Sequence, residues 1–135
     1  MDVNKNSKPS APLSYEELKR LRLQWVTVEA HRIQEATGRG LQFCMQQAWL
    51  AWRLLSLLGS STVWFTYTKE NGDLRHAKGT LCPAADADFA AYEARGATRP
   101  PRDDCTHVYW DMGVKGFRTF HSYRLVDIIT YDHEE

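Results

Sequence analysis

The pattern of apolar and polar positions divides the 135-residue chain at one place. Up to Ser61 the apolar residues recur at helical spacing, and from Thr62 onward they recur every second residue. In the first part Leu18, Leu21, Trp25 and Val28 form one apolar stripe, with Lys19, Arg20, Arg22 and Glu29 mostly off it. Ser14-Tyr-Glu-Glu17 precedes the stripe and has the form of a capping box, in which Ser14 and Glu17 each satisfy the other's backbone N–H. The spacing predicts a helix from Ser14 to about Thr37, stopped by Gly38 or Gly40. A second helix is predicted from about Leu41 to Leu58. Its wide apolar face is made by Cys44, Met45, Ala48, Trp49, Trp52, Leu55 and Leu58, and Gly59-Ser-Ser61 ends it.

In the second part Val63, Phe65 and Tyr67 point to one face of a strand, and Trp64, Thr66 and Thr68 to the other. Asn71-Gly72 then signals a hairpin with a type I′ turn, and the return strand is Leu74–Leu81. Gly79 inside that strand suggests a bulge or a close backbone approach. Residues 82–106 are a long insertion. Asp86–Ala94 reads as a short helix ended by Gly96, and Thr98–Asp104 as an extended loop. Strands are predicted at His107–Asp111, Phe117–His121 and Leu125–Thr130, with a turn at Met112–Gly116 and a single 3₁₀ turn at Ser122–Arg124.

The fold class that follows is α+β: two N-terminal helices packed on a five-stranded antiparallel SH3-like β-barrel, with a long insertion between strands 2 and 3. The organisation is a polar, disordered tail over 1–13, a helical arm over 14–61 and the barrel over 62–135. Another small open barrel or a helix-backed sheet is the alternative.

Composition narrows the class of function. Seventeen basic and seventeen acidic side chains cancel, which argues against a nonspecific nucleic-acid coat and against an acidic DNA mimic. Residues 1–61 carry eight Lys/Arg against five Asp/Glu, and residues 62–135 nine against twelve, a mild asymmetry. Three cysteines do not make a disulfide scaffold, and no secretory signal or membrane span is legible, so a reducing cytoplasm is the expected location. Five Trp, six Tyr and five Phe are ample for a core and a contact surface.

Catalytic patterns are missing: there is no G-x-S-x-G, H-E-x-x-H, Walker loop or G-x-G-x-x-G. Asp103-Asp104 and Glu134-Glu135 are adjacent pairs whose side chains point apart. Cys82, Cys105, His107 and His121 could meet at the barrel base, but they lack the knuckle spacing of a structural zinc site. No metal or other cofactor is expected, and the thiols are read as buried or half-buried. Arg95, Arg99 and Arg102 form a basic loop around Pro100-Pro101, with Asp103 and Asp104 as their offset. Trp64 is expected under the helices. For Trp110 an outward position and a covered one both stand. The candidate contact residues are therefore Arg95, Arg99, Arg102, Trp110 and His121.

The run Phe65–Leu81, with Tyr109-Trp-Asp111, Gly116-Phe-Arg-Thr-Phe120 and Leu125-Val-Asp-Ile128, resembles a family of small SH3 β-barrel fold-containing proteins. That family has no known function and occurs in gut Bacteroidota and their phages and mobile elements. Its pattern is roughly K-x-G-x-x-R-x-A-x-G-T-L, then Y-x-D, a W-R-S-F strand and a terminal L-I. Here one extra residue lies between Lys69 and Gly72, Phe117 stands for the Trp and Thr119 for the Ser. The A-W-x-x-x-R helix (Ala48, Trp49, Arg53) fits less specifically. The resemblance covers about half the chain and carries no activity. Its mobile-element context implies a non-enzymatic, cytoplasmic interaction protein, an inhibitor of a host defence nuclease of the anti-CRISPR type. A nucleic-acid-binding module is the alternative. The partner is expected to be a protein, such as a CRISPR nuclease, with nucleic acid as the second candidate, no membrane, and a homodimer through the helix pair open.

Overall fold

A computed structural model describes residues 12–94 and 105–129. Arg95, Arg99, Arg102 and the loop expected over Thr98–Asp104 lie outside those residues. Helix α1 (Tyr15–Thr37) starts on the capping box read from the sequence: Glu17 N–H donates to Ser14 Oγ at 3.1 Å and Ser14 N–H to Glu17 Oε1 at 2.9 Å. It ends at Gly38, whose φ of 71° is the left-handed cap. Helix α2 (Leu41–Leu58) follows after three residues. Five strands come next, β1 (Val63–Thr68), β2 (Leu74–Thr80), β3 (Thr106–Asp111), β4 (Gly116–His121) and β5 (Leu125–Ile129). Helix α3 (Ala87–Ala94) lies between β2 and β3. The strands form one antiparallel sheet in the order β4-β3-β2-β1-β5. Among the described residues no helix is long and apolar enough to cross a membrane.

α2 is the centre of the packing. Ala51, Leu54 and Leu58 enter the sheet's inner face with Val63, Phe65, Tyr67, Tyr109 and Phe120. Cys44 and Ala48 meet Val26, Ala30 and Ile33 of α1, together with Cys105. The amide of Gln47 donates to the carbonyls of Ser122 and Leu125, both at 3.0 Å, and so holds α2 on the turn that joins the two edge strands. At the other end Leu81 N–H donates to Leu58 O at 2.8 Å.

Three expectations change. The face α1 buries is Val26, Glu29, Ala30 and Ile33, and of the predicted stripe only Trp25 is partly covered. Leu18 is 53 %, Leu21 46 % and Val28 46 % exposed. The helix carries two apolar stripes, and the one that includes small Ala30 allows close approach to α2. The β1–β2 hairpin forms as expected, but its turn is not type I′. Gly72 N–H donates to Lys69 O at 2.9 Å, and among the described residues only Gly72 of this turn has positive φ, at 96°. This is a type I turn closed by a glycine bulge, and it absorbs the extra residue between Lys69 and Gly72. Trp64, expected under the helices, lies on the surface instead, and of the two positions open for Trp110 the covered one is found. Trp64 is 40 % exposed, with the Lys78 ammonium 5.4 Å above its ring. Trp110 is 3 % exposed, covered not by the N-terminal helices but by α3 of the insertion.

α3 explains that burial. Asp86 caps it, accepting from the N–H groups of Asp88 at 2.8 Å and Phe89 at 3.0 Å. Phe89 stacks on Trp110 at 5.2 Å between centroids, and Tyr92 lies at 5.8 Å. Lys115, in the β3–β4 turn at φ 58°, reaches Asp86 at 3.1 Å and Asp88 at 3.2 Å and pins the helix from its N-terminal side, where cation and dipole are balanced by the two carboxylates.

Candidate binding surfaces

The polar interior constrains what chemistry the fold can offer. Asp111, 1 % exposed, ends β3. Its Oδ2 accepts from Arg75 Nη2 at 2.5 Å and from the Tyr109 hydroxyl at 3.1 Å; its Oδ1 accepts from the N–H groups of Gly113 at 2.9 Å and Val114 at 3.2 Å. Tyr109 has one proton to give and gives it to Asp111, so Tyr67, 2.9 Å away, donates to the Tyr109 oxygen. Burial pushes the Asp111 carboxyl up, but Arg75 and the two backbone donors outweigh it and hold the group below its usual range. Burial, reinforced by Tyr67, pushes the Tyr109 phenol far above its ordinary value. Glu29, 1 % exposed on α1, accepts from His107 Nε2–H at 2.8 Å. Burial again opposes ionisation there, and His107 overcomes it, so the carboxyl lies low. The imidazole of His107 lies against Trp25, 6.0 Å away, and Phe120, 5.6 Å away.

Of the residues singled out from the sequence, Trp110 is a core residue and His121 is half-buried and engaged. His121 Nε2–H donates to Glu70 at 3.0 Å, Thr106 Oγ1 lies 3.0 Å from Nδ1, and the ring stacks on Tyr123 at 5.0 Å and 6°. The Glu70 carboxyl is held below its usual range by that hydrogen bond. Cys105 is in the core with residues of α1 and α2, the three cysteines are free thiols, and among the described residues no group of His, Cys, Asp and Glu could hold a metal.

His121 nevertheless lines a concave surface, and two such surfaces among the described residues bear on binding. The first, about 410 Å³, opens between the β1–β2 turn and β4 and is lined by Tyr67, Lys69, Glu70, Arg118, Phe120 and His121 among others. Its rim is braced by the Glu70–His121 contact and by Arg124 Nη1, which donates to Lys69 O at 3.2 Å. The second, about 520 Å³, runs along the outer side of α2 and is lined by Trp49, Leu50, Trp52, Arg53 and Leu57 with Arg22 of α1. Arg22 lies 5.9 Å from the Trp49 ring centre. The helical spacing put Arg22 off the apolar stripe of α1 and Trp49 on the wide apolar face of α2. Trp49 is 39 % exposed. The sequence signal for this surface is the breadth of the Trp49/Trp52 face, which leaves a homodimer through the helix pair open.

The architecture defines a class: a small α+β protein whose helices pack on a five-stranded antiparallel sheet of SH3 type. Comparison with protein families agrees. The family described as WYL_2, Sm-like SH3 β-barrel fold, matches residues 51–126, more than half of the chain, and the protein belongs to it. α1 and the first ten residues of α2 lie outside the match. No curated protein and no solved structure matches the chain significantly.

Proposed function

We propose that this protein works by binding another protein, without chemistry of its own, through the outer face of its helical arm. The observation that carries the reading is the second apolar stripe of α1: Leu18, Leu21 and Val28 are exposed, and Trp49 stands exposed beside a groove on α2. Apolar surface of this kind gathered on one element marks an interaction site. The buried carboxylates favour the non-enzymatic side of the reading, because Asp111, Glu29 and Asp86 are each occupied by a cation or imidazole partner. We read the curled sheet as the barrel of its fold family, with the 122–124 turn bringing β4 and β5 to one corner and the whole serving as the arm's support. Affinity capture with the full chain, followed by cross-linking, tests it. Cross-links should fall on α1 and α2, and capture of no protein partner removes the reading.

The narrower version, an inhibitor of a host defence nuclease carried by a phage or mobile element, rests on the resemblance alone. It expects nuclease cleavage to fall as the protein is titrated in; unchanged cleavage removes it. A nucleic-acid-binding role is the second reading, and the cavity that gathers Lys69, Arg118 and His121 near Tyr67 and Phe120 favours it. Binding there should weaken steeply with salt. Flat fluorescence anisotropy with single- and double-stranded DNA and RNA at low salt counts against it.

A further inference from the structure

We infer that the groove between α1 and α2 receives an acidic amphipathic helix of a partner protein, held between Arg22 and Arg53. The inference rests on the protein-binding reading and names the chemistry of what binds.

The shape comes first. On α2 the groove is lined by Gln46, Trp49, Leu50, Arg53, Ser56 and Leu57, a spacing of three and four residues that makes one straight stripe about 16 Å long. Ridges of this kind accept the ridges of another helix. An extended segment fits worse. The walls are side chains of two helices whose own backbone is hydrogen-bonded internally, so a strand laid there would find no backbone partners on its buried side, whereas a helix brings its own. Leu18 lies one turn from Arg22 on the same face of α1 and is exposed.

The charge comes second. The lining holds two cations and no acid. Among the described residues neither Arg22 nor Arg53 has a carboxylate partner. On α1, Glu17 is engaged in the capping box and Glu29 with His107. Arg22 Nε is buried without a hydrogen-bond partner, and the guanidinium is held over the Trp49 ring. A guanidinium so placed binds a carboxylate through paired N–H groups. A partner with its own cations at these points would be repelled. The complement is a helix with large apolar residues on one face and Glu or Asp flanking them.

Two synthetic stapled helices test this. Both carry the same Leu/Phe stripe; one is flanked by Glu and the other by Lys. Each is labelled and titrated with the full chain by fluorescence anisotropy. The Glu peptide should bind at least about tenfold more tightly than the Lys peptide, and added salt should narrow the gap. Arg53→Glu, at an exposed position, should abolish the preference, because Arg22 is then offset by an acid; Arg22→Glu/Arg53→Glu should reverse it, and Trp49→Ala should weaken both peptides. Circular dichroism checks that each variant folds. Equal binding of the two peptides, no binding of either, or a preference that survives Arg53→Glu overturns the inference. So does a dimer in light scattering that Trp49→Ala dissociates, because a second copy then fills the groove. Affinity capture with Arg22→Glu/Arg53→Glu separates the two levels. A partner kept by this variant leaves protein binding standing and removes the groove, while no partner for the unaltered chain removes the reading beneath it.

Discussion

Gly79 lies where β2 crosses the ring of Tyr109. A Cβ there would stand 2.6 Å from Tyr109 Cδ2 and 3.2 Å from Trp110 O. The ring belongs to the hydroxyl chain that ends on Asp111 and cannot swing away freely. Gly79→Ala is therefore expected to cost about 1–3 kcal/mol, measured by urea unfolding. The glycine had signalled a close approach in the sequence; which atoms approach was not readable, because Tyr109 comes from a strand thirty positions on. Asp111 carries a second prediction at this scale. Unfolded Asp and Glu titrate near about 4, and in the fold Asp111, Glu29 and Asp86 are held lower. The unfolded chain takes up protons first as pH falls. The stability these groups contribute is thus complete above their unfolded values and is lost as pH drops through the folded ones. Unfolding midpoints measured from neutral to about pH 3 should fall, and Asp111→Asn should flatten part of that slope while lowering stability at neutral pH.

At the scale of elements, α1 shows the ambiguity of a helical period. Two stripes satisfy it, Leu18-Leu21-Trp25-Val28 and Val26-Glu29-Ala30-Ile33, and the larger side chains are on the first. The structure buries the second because Ala30 admits α2 closely and because Glu29 finds His107. The consequence is testable by substitution. Leu18→Gln/Leu21→Gln should leave stability within about 0.5 kcal/mol per site while weakening partner capture. Ile33→Ala should cost about 2–5 kcal/mol. The β1–β2 hairpin makes a similar point. Asn71-Gly72 foretold the hairpin, but a type I turn with a glycine bulge needs positive φ only at Gly72, so Gly72→Ala should cost more than Asn71→Ala, by about 1 kcal/mol. α3 was foreseen as a helix. Its task of covering Trp110 was not, since nothing local to residues 86–94 says which aromatic surface they will meet.

For the whole molecule, the question is what joins the arm to the sheet. α2 does so by apolar packing and through Gln47. α1 reaches β3 through Glu29 and His107, a buried pair whose disruption leaves one group uncompensated. Glu29→Ala should cost about 3–5 kcal/mol, and hydrogen exchange should show α1 losing protection first while β1–β4 keep theirs. His107→Ala should give the same pattern from the other side. A uniform loss across helices and strands would mean that arm and sheet unfold as one unit and that the pair is not the link between them.

Among the described residues the sequence by itself determined, to within a residue or so, where the three α-helices and the five strands lie, because caps, period and turn residues act within a few positions of one another. It determined the change from helix to sheet after Ser61 for the same reason, and the hairpins that follow. Only the tertiary structure decided which stripe of α1 faces inward, that Trp110 is covered and Trp64 is not, and that Arg22, Trp49 and Arg53 share one groove. Those outcomes depend on side chains from distant segments competing for the same space, and the competition is settled by shape and buried charge once the elements are packed.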